Sequence, residues 1–105
     1  MITAVRTAGV HDGKFADAVA WALKTTNYLR DKLGGNTQLM RNVGGPLYQL
    51  HWVTTHSSLA DFEKELKRME ADEGYKTLVK EARQQGLFIA ASIVESLYES
   101  IPLAG

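Results

Sequence analysis

Few residues in this chain can carry chemistry, and the three histidines, His11, His51 and His56, come first among them. An unperturbed imidazole titrates near neutral pH, so each is a candidate base or ligand anchor. His51 lies inside the β-rich run Leu50-His51-Trp52-Val53 and is the candidate catalytic residue. His11 stands beside Asp12 in a turn, while His56 precedes a helical stretch and either caps it or faces water. His51 and His56 straddle a strand end without the spacing of a helical zinc pair, and no third ligand accompanies them. No metal site is expected. The chain has no cysteine, which excludes disulfides, thiolate metal sites and thiol nucleophiles together. No serine sits on a strand-to-helix elbow, so no Ser-His-Asp triad is expected. No motif asks for a cofactor.

Aromatic residues form a second group. Trp21 and Tyr28 stand just off the apolar stripe of the first helical stretch, and Trp52 and Tyr98 lie in strand-like runs. Together they are candidate ligand-binding residues of a cleft between helix and sheet, a lining that suits a planar apolar molecule. Their competing role is ordinary packing. Gly44-Gly45-Pro46 is glycine-rich, but no helix N-terminus follows it to hold a phosphate. It reads as a turn.

The elements that must position these residues follow from periodicity. Ile2 to Ala8 reads as a strand, and Asp12 is placed to cap the helix after it. Phe15, Ala18, Val19, Ala22, Thr26, Leu29 and Leu33 recur at helical spacing from Lys14 to Leu33, and Gly34-Gly35 ends the run. Thr37 to Val43 and Leu47 to Thr54 flank the glycine turn as a β-hairpin. Ser58 and Asp61 have capping-box spacing before a helix expected to bury Leu59, Phe62, Leu66 and Met69. A break at Ala71 to Gly74 precedes a shorter helix with Tyr75, Leu78, Val79 and Ala82 on one stripe. Ala90 to Ile101 reads as a long last strand, ended by Pro102. The order is β-α-β-β-α(α)-β in one domain, residues 1–105: an α+β chain with a four-stranded antiparallel sheet and its helices on one face.

Alternation splits each strand into two sets. The bulkier assignment puts Val5, Met40, Leu50, Trp52, Val94 and Tyr98 under the helices. Ile2, Ala4, Leu39, Val43, Val53, Ile93 and Leu97 then share the other face with Arg6, Arg41, Gln49, His51 and Glu95. Such a face covers roughly 400–500 Å², and an apolar patch of that size usually marks an interface. A homodimer is therefore expected, with Leu39, Arg41, His51, Ile93, Glu95 and Leu97 at its interface. On that assignment His51 has Arg6, Arg41 and Glu95 as neighbours. Pairing with Glu95 would make it a lock on the dimer; a neutral ring with a fixed tautomer would make it a base.

Composition bounds the rest. Twelve basic residues balance twelve acidic ones, which leaves no electrostatic footprint for nucleic acid or an anionic membrane. The N-terminus lacks the basic start and apolar run of a signal peptide, and no apolar stretch is long enough to cross a bilayer. A cytoplasmic protein is expected.

The element order, the Gly44-Gly45-Pro46 hairpin running into Leu50-His51-Trp52-Val53, Ser58 to Glu63, and Ser96-Leu97-Tyr98 resemble the dimeric α+β barrel superfamily, and within it the NIPSNAP-like branch. The resemblance implies a ferredoxin-like βαββαβ fold and a homodimer whose two sheets face each other as a barrel. It implies no single activity, since relatives include cofactor-free monooxygenases, haem-degrading enzymes and small-molecule binders. The haem-degrading branch places its histidine ligand on a helix, and none of the three histidines here falls in an expected helix. Three classes of function stay open: a homodimeric binder of an apolar or aromatic small molecule, a cofactor-free monooxygenase-like enzyme, and a structural or interaction module.

Overall fold

Strand β1 (Ile2–Gly9) runs through the middle of the molecule, and everything else is placed against it. In the computed structural model, which describes residues 1–103, β1 pairs antiparallel with β3 (Gln49–His56) on one side and β4 (Val94–Glu99) on the other. The short β2 (Gln38–Arg41) pairs with the outer edge of β3, giving the sheet order β2-β3-β1-β4. Helix α1 (Phe15–Leu33) connects β1 to β2, and the helices α2 (Leu59–Ala71) and α3 (Glu73–Gln85) connect β3 to β4. This is a ferredoxin-like α+β fold in βαββαβ order, its second helix split in two.

The helix boundaries follow local chemistry. At its start α1 has Lys14 as N-cap with no side-chain hydrogen bond, so Asp12 is not the cap expected of it. Its end comes at Gly34, whose φ of 75° is the left-handed conformation that glycine adopts at least cost. Ser58 caps α2 by accepting from the Asp61 N–H, as its spacing predicts. Asp72 both ends α2 and caps α3, accepting from the Tyr75 N–H at 2.9 Å.

Three strand boundaries differ from expectation. Strand β2 is trimmed to Gln38–Arg41, and Val43 lies in the following loop, fully exposed. Strand β3 runs two residues further than expected, so His56 belongs to the sheet. The segment Ala90–Ser92 is a 3₁₀ turn, and β4 begins only at Val94. Ser92 explains that last shift. Its hydroxyl takes the Gly9 N–H at 2.7 Å and donates to the Ile89 carbonyl, replacing ladder bonds by a local turn.

Register decides the two faces, because residues directly opposite across neighbouring strands share a side. Arg6 lies opposite both Trp52 and Glu95, Ala4 opposite Thr54 and Leu97, and Leu39 opposite Trp52. The helix-covered face is therefore Ile2, Ala4, Arg6 and Ala8 on β1, with Leu50, Trp52, Thr54 and His56 on β3. Leu39, Arg41, Glu95 and Leu97 join it, while Val5, Met40, Val94 and Tyr98 turn to the open face. Leu50, Trp52, Val53, Gln49 and His51 lie where alternation put them. Strands β1, β2 and β4 are reversed.

Ala18 and Ala22 are fully buried in the core, and Ala4 and Ala8 are each 3% exposed on the helix side of the sheet, so small residues stand where large ones were expected. The core gathers at one end around Leu50, Leu87, Val10, Ala18, Ala22 and Ala82. Toward the other end the helices stand away from the sheet. Among the described residues no helix is long and apolar enough to cross a membrane.

Candidate functional site

The gap between helices and sheet is a cavity of about 680 Å³, a size suited to a small organic molecule. Its floor is the helix-covered side of β1 and β3. Arg6 lies there, donating from a terminal guanidinium nitrogen to a Glu95 carboxylate oxygen at 2.8 Å. Burial works against the charge on Arg6, but the hydrogen bond and charge of Glu95, together with Tyr75, more than offset it, so its pKa lies above the ordinary arginine value.

One wall is aromatic. Trp21 on α1 and Trp52 on β3 both meet Phe88 edge-on, at centroid distances of 5.4 and 5.8 Å. The Trp21 indole N–H donates to the Leu78 carbonyl at 2.7 Å, which fixes α1 to α3 and holds the ring in place. On the facing part of α1, the hydroxyls of Thr25 and Thr26 are buried without a hydrogen-bond partner in the protein, and both residues line the cavity. Thr25 is only 3% exposed. A buried hydroxyl left without a partner costs roughly 1–3 kcal/mol, so such groups are uncommon.

The far end holds a chain of polar groups. Thr54 and His56, two apart on β3, project to the same side, and the Thr54 hydroxyl lies 2.8 Å from His56 Nε2. His56 Nδ1 is hydrogen-bonded to a Glu65 carboxylate oxygen on α2. Phe62, one turn earlier on α2, meets the imidazole edge-on at 5.2 Å. A carboxylate only accepts, so Nδ1 carries the hydrogen and the tautomer is set. Among the described residues no group of three or more His, Asp or Glu is placed to hold a metal.

Sequence-expected site residues divide between three places. Trp21 and Trp52 line the cavity, as do Arg6, Ile93 and Glu95. His51 lies on the open face, where it contacts Thr7 Oγ1 at 2.7 Å and Asn42 Oδ1. Its expected neighbours Arg6, Arg41 and Glu95 are on the opposite side of the sheet, so the pairing of His51 with Glu95 is excluded by register. Tyr98 is exposed on the open face and does not line the cleft. Leu39, Arg41 and Leu97, expected at an open-face interface, lie on the helix side. His56 was expected to cap a helix or face water; its side chain is 7% exposed and sits in the sheet.

Tyr28 has a structural task. Its hydroxyl donates to Asp72 Oδ2 at 2.7 Å, the same oxygen that caps α3. That hydrogen bond, followed by the Tyr75 N–H, holds the Asp72 carboxyl below the usual carboxylate range, and the same bond to Asp72 raises the Tyr28 phenol. Gly74 makes room: a Cβ there would meet the Tyr28 hydroxyl at 2.0 Å. Gly74→Ala must push Tyr28 off Asp72. Urea titration should therefore show Gly74→Ala at least as unstable as Tyr28→Phe, with the double variant little worse than the poorer single. Because the folded pKa of Asp72 is depressed, the cap stabilises above the unfolded carboxylate value and is lost as pH falls through the folded one. The gap between parent and Tyr28→Phe should close in acid; a gap that persists would mean Tyr28 acts by packing alone.

No protein-family model matches the chain, and no curated protein matches it. Solved structures do. A NIPSNAP-domain protein from Burkholderia xenovorans superposes with a TM-score of 0.81 over 100% of this chain and 99% of its own, at 10% identity. A NIPSNAP family protein from Agrobacterium tumefaciens gives 0.79 over 95% and 92%, at 17% identity. A protein from Deinococcus radiodurans classed with the antibiotic biosynthesis monooxygenases gives 0.69 over 100% and 97%, at 11% identity. The fold is that of the ferredoxin-like α+β proteins. Within that class its backbone is similar to those of the NIPSNAP structures.

Proposed function

We propose that the protein is a homodimeric binder of a planar, largely apolar small molecule held between helices and sheet. The observation that carries this is the cavity itself, walled by Trp21, Trp52 and Phe88, with the buried unpartnered hydroxyl of Thr25 on its lining. Aromatic edges and faces bind a flat molecule by area, and a few polar groups orient it. A filled interior would have favoured a purely structural module instead.

Both tryptophans of the chain line the cavity, so intrinsic fluorescence reports on it directly. The naphthoquinone 2-methyl-1,4-naphthoquinone is a suitable probe, being flat, quenching, and without a cysteine here to react with. Saturable quenching with one probe per chain is expected, together with a dimer carrying the probe in native mass spectrometry. Quenching that rises linearly without saturation, with no adduct by mass, would refute the binding reading.

A second reading has a specific observation behind it. His56, oriented by Glu65 beside a hydroxyl at the cavity end, supports a cofactor-free monooxygenase-like enzyme, and the Deinococcus protein's name is that of an antibiotic biosynthesis monooxygenase.

A further inference from the structure

Glu65, His56 and Thr54 have a direction as well as a geometry. With Nδ1–H donating to the carboxylate, a neutral His56 ring presents only a lone pair at Nε2. The hydroxyl 2.8 Å away must then be the donor, which commits the single proton of Thr54 to His56. What Thr54 offers the cavity is an oxygen that accepts. At the other end Glu65 is 53% exposed, whereas His56 is 7% exposed. All three residues line the cavity, and the chain runs from the Thr54 oxygen through the buried imidazole to a carboxylate half open to water.

From this polarity, and resting on the ligand-binding reading above, we propose that Thr54, His56 and Glu65 form a proton wire serving a ligand with an ionisable hydroxyl, a phenol or an enol. Such a group both donates to Thr54 Oγ1 and survives as an anion; an alcohol donates but does not ionise, and a ketone or ether offers no hydrogen. The ligand O–H bond breaks and its proton joins Thr54 Oγ1 as the proton of Thr54 moves to His56 Nε2. The electron pair stays on the ligand oxygen. The imidazolium formed is balanced by Glu65, through which the Nδ1 proton leaves to solvent. No oxidant or reductant enters. Of the cavity's charges, Glu95 is paired with Arg6 and Glu65 with His56, while Arg68 and Arg83 make no salt bridge among the described residues. Their charge favours the ligand anion.

The test uses 4-nitrophenol, whose phenolate absorbs visible light, at a pH where the free probe is mostly protonated. Binding is followed by tryptophan quenching and ionisation by absorbance. In the parent protein the acid constant of the bound probe should rise about tenfold, roughly one pKa unit. Thr54→Val and His56→Gln should still quench but lose that rise. Thr54→Val keeps the shape of the side chain, so it supplies the comparison even if His56→Gln fails to fold. Quenching with the probe bound as the neutral phenol overturns the wire and leaves the binding site standing. Equal ionisation in parent and Thr54→Val overturns the wire in favour of the arginines alone. No quenching at all overturns both.

Discussion

Leu50→Ala should destabilise the fold by about 3–5 kcal/mol, and Trp52→Ala by only about 2–3 kcal/mol, although tryptophan is the larger side chain. The two residues are neighbours on the same face of β3 and differ in what surrounds them. Leu50 is 1% exposed in the core cluster with Val10, Ala18 and Leu87, so truncation leaves a void that packed neighbours cannot fill. Trp52 is half-buried and borders the cavity, where part of its surface has no packing partner to lose. For a domain whose whole stability is of order 5–15 kcal/mol, the Leu50 variant approaches global unfolding. Urea midpoints for both variants check the order. A larger loss for Trp52→Ala would mean that the cavity closes around that ring in solution. The same variant should weaken quinone binding, whereas Leu50→Ala, assayed while folded, should not.

The sheet, its connectivity and the gathering of the helices on a single side were legible because periodicity and turn chemistry are local. Ser58 before Leu59 and Gly34 after Leu33 mark helix ends through bonds made within a few residues. Which face each strand turns to the helices is not local. It depends on Arg6 lying opposite Trp52 rather than one position along, and a one-residue slip inverts a strand. Size misled as well. Ala4 and Ala8 are inside although they are small, and Arg6 is inside because Glu95 neutralises it. Trp21 and Trp52 were found in sequence, since large aromatics near a helix–sheet junction signal a cleft. His56 was among the candidate histidines, but its place in the sheet was missed because the strand was ended at Thr54; the sequence signal for it is the pair Thr54 and His56, spaced to share a face.

Val53→Lys should separate the protomers of the proposed dimer while leaving each folded. With all three helices on one side, the opposite face of the sheet is uncovered, and register gives its rows. Met40, His51, Thr7 and Val94 form one, and Gln38, Val53, Val5 and Ser96 the next. Val5 and Val53 are opposite each other on the two central strands, the point a facing sheet would bury first. A lysine there meets Val5 and Gln38, neither of which can balance its charge, and burying an unpaired ion costs several kcal/mol. The dimer constant should weaken by about 100-fold or more, each tenfold being 1.4 kcal/mol. In the monomer the same lysine points to water, so the urea midpoint should shift little. Leu39→Lys makes the opposite control: its side chain packs against the core, so it should lower stability and not dimer affinity. The open face alone, at roughly 400–500 Å², falls short of the 800 Å² or so that a standard interface buries per partner. Exposed apolar residues around the sheet, Val43, Ile101 and Leu103 among them, are the natural supplement. Val43→Asp should therefore weaken the dimer less than Val53→Lys does. Sedimentation at micromolar concentration decides: a parent protein that runs as a monomer there removes the dimer, and a Val53→Lys variant that stays dimeric moves the interface off the sheet.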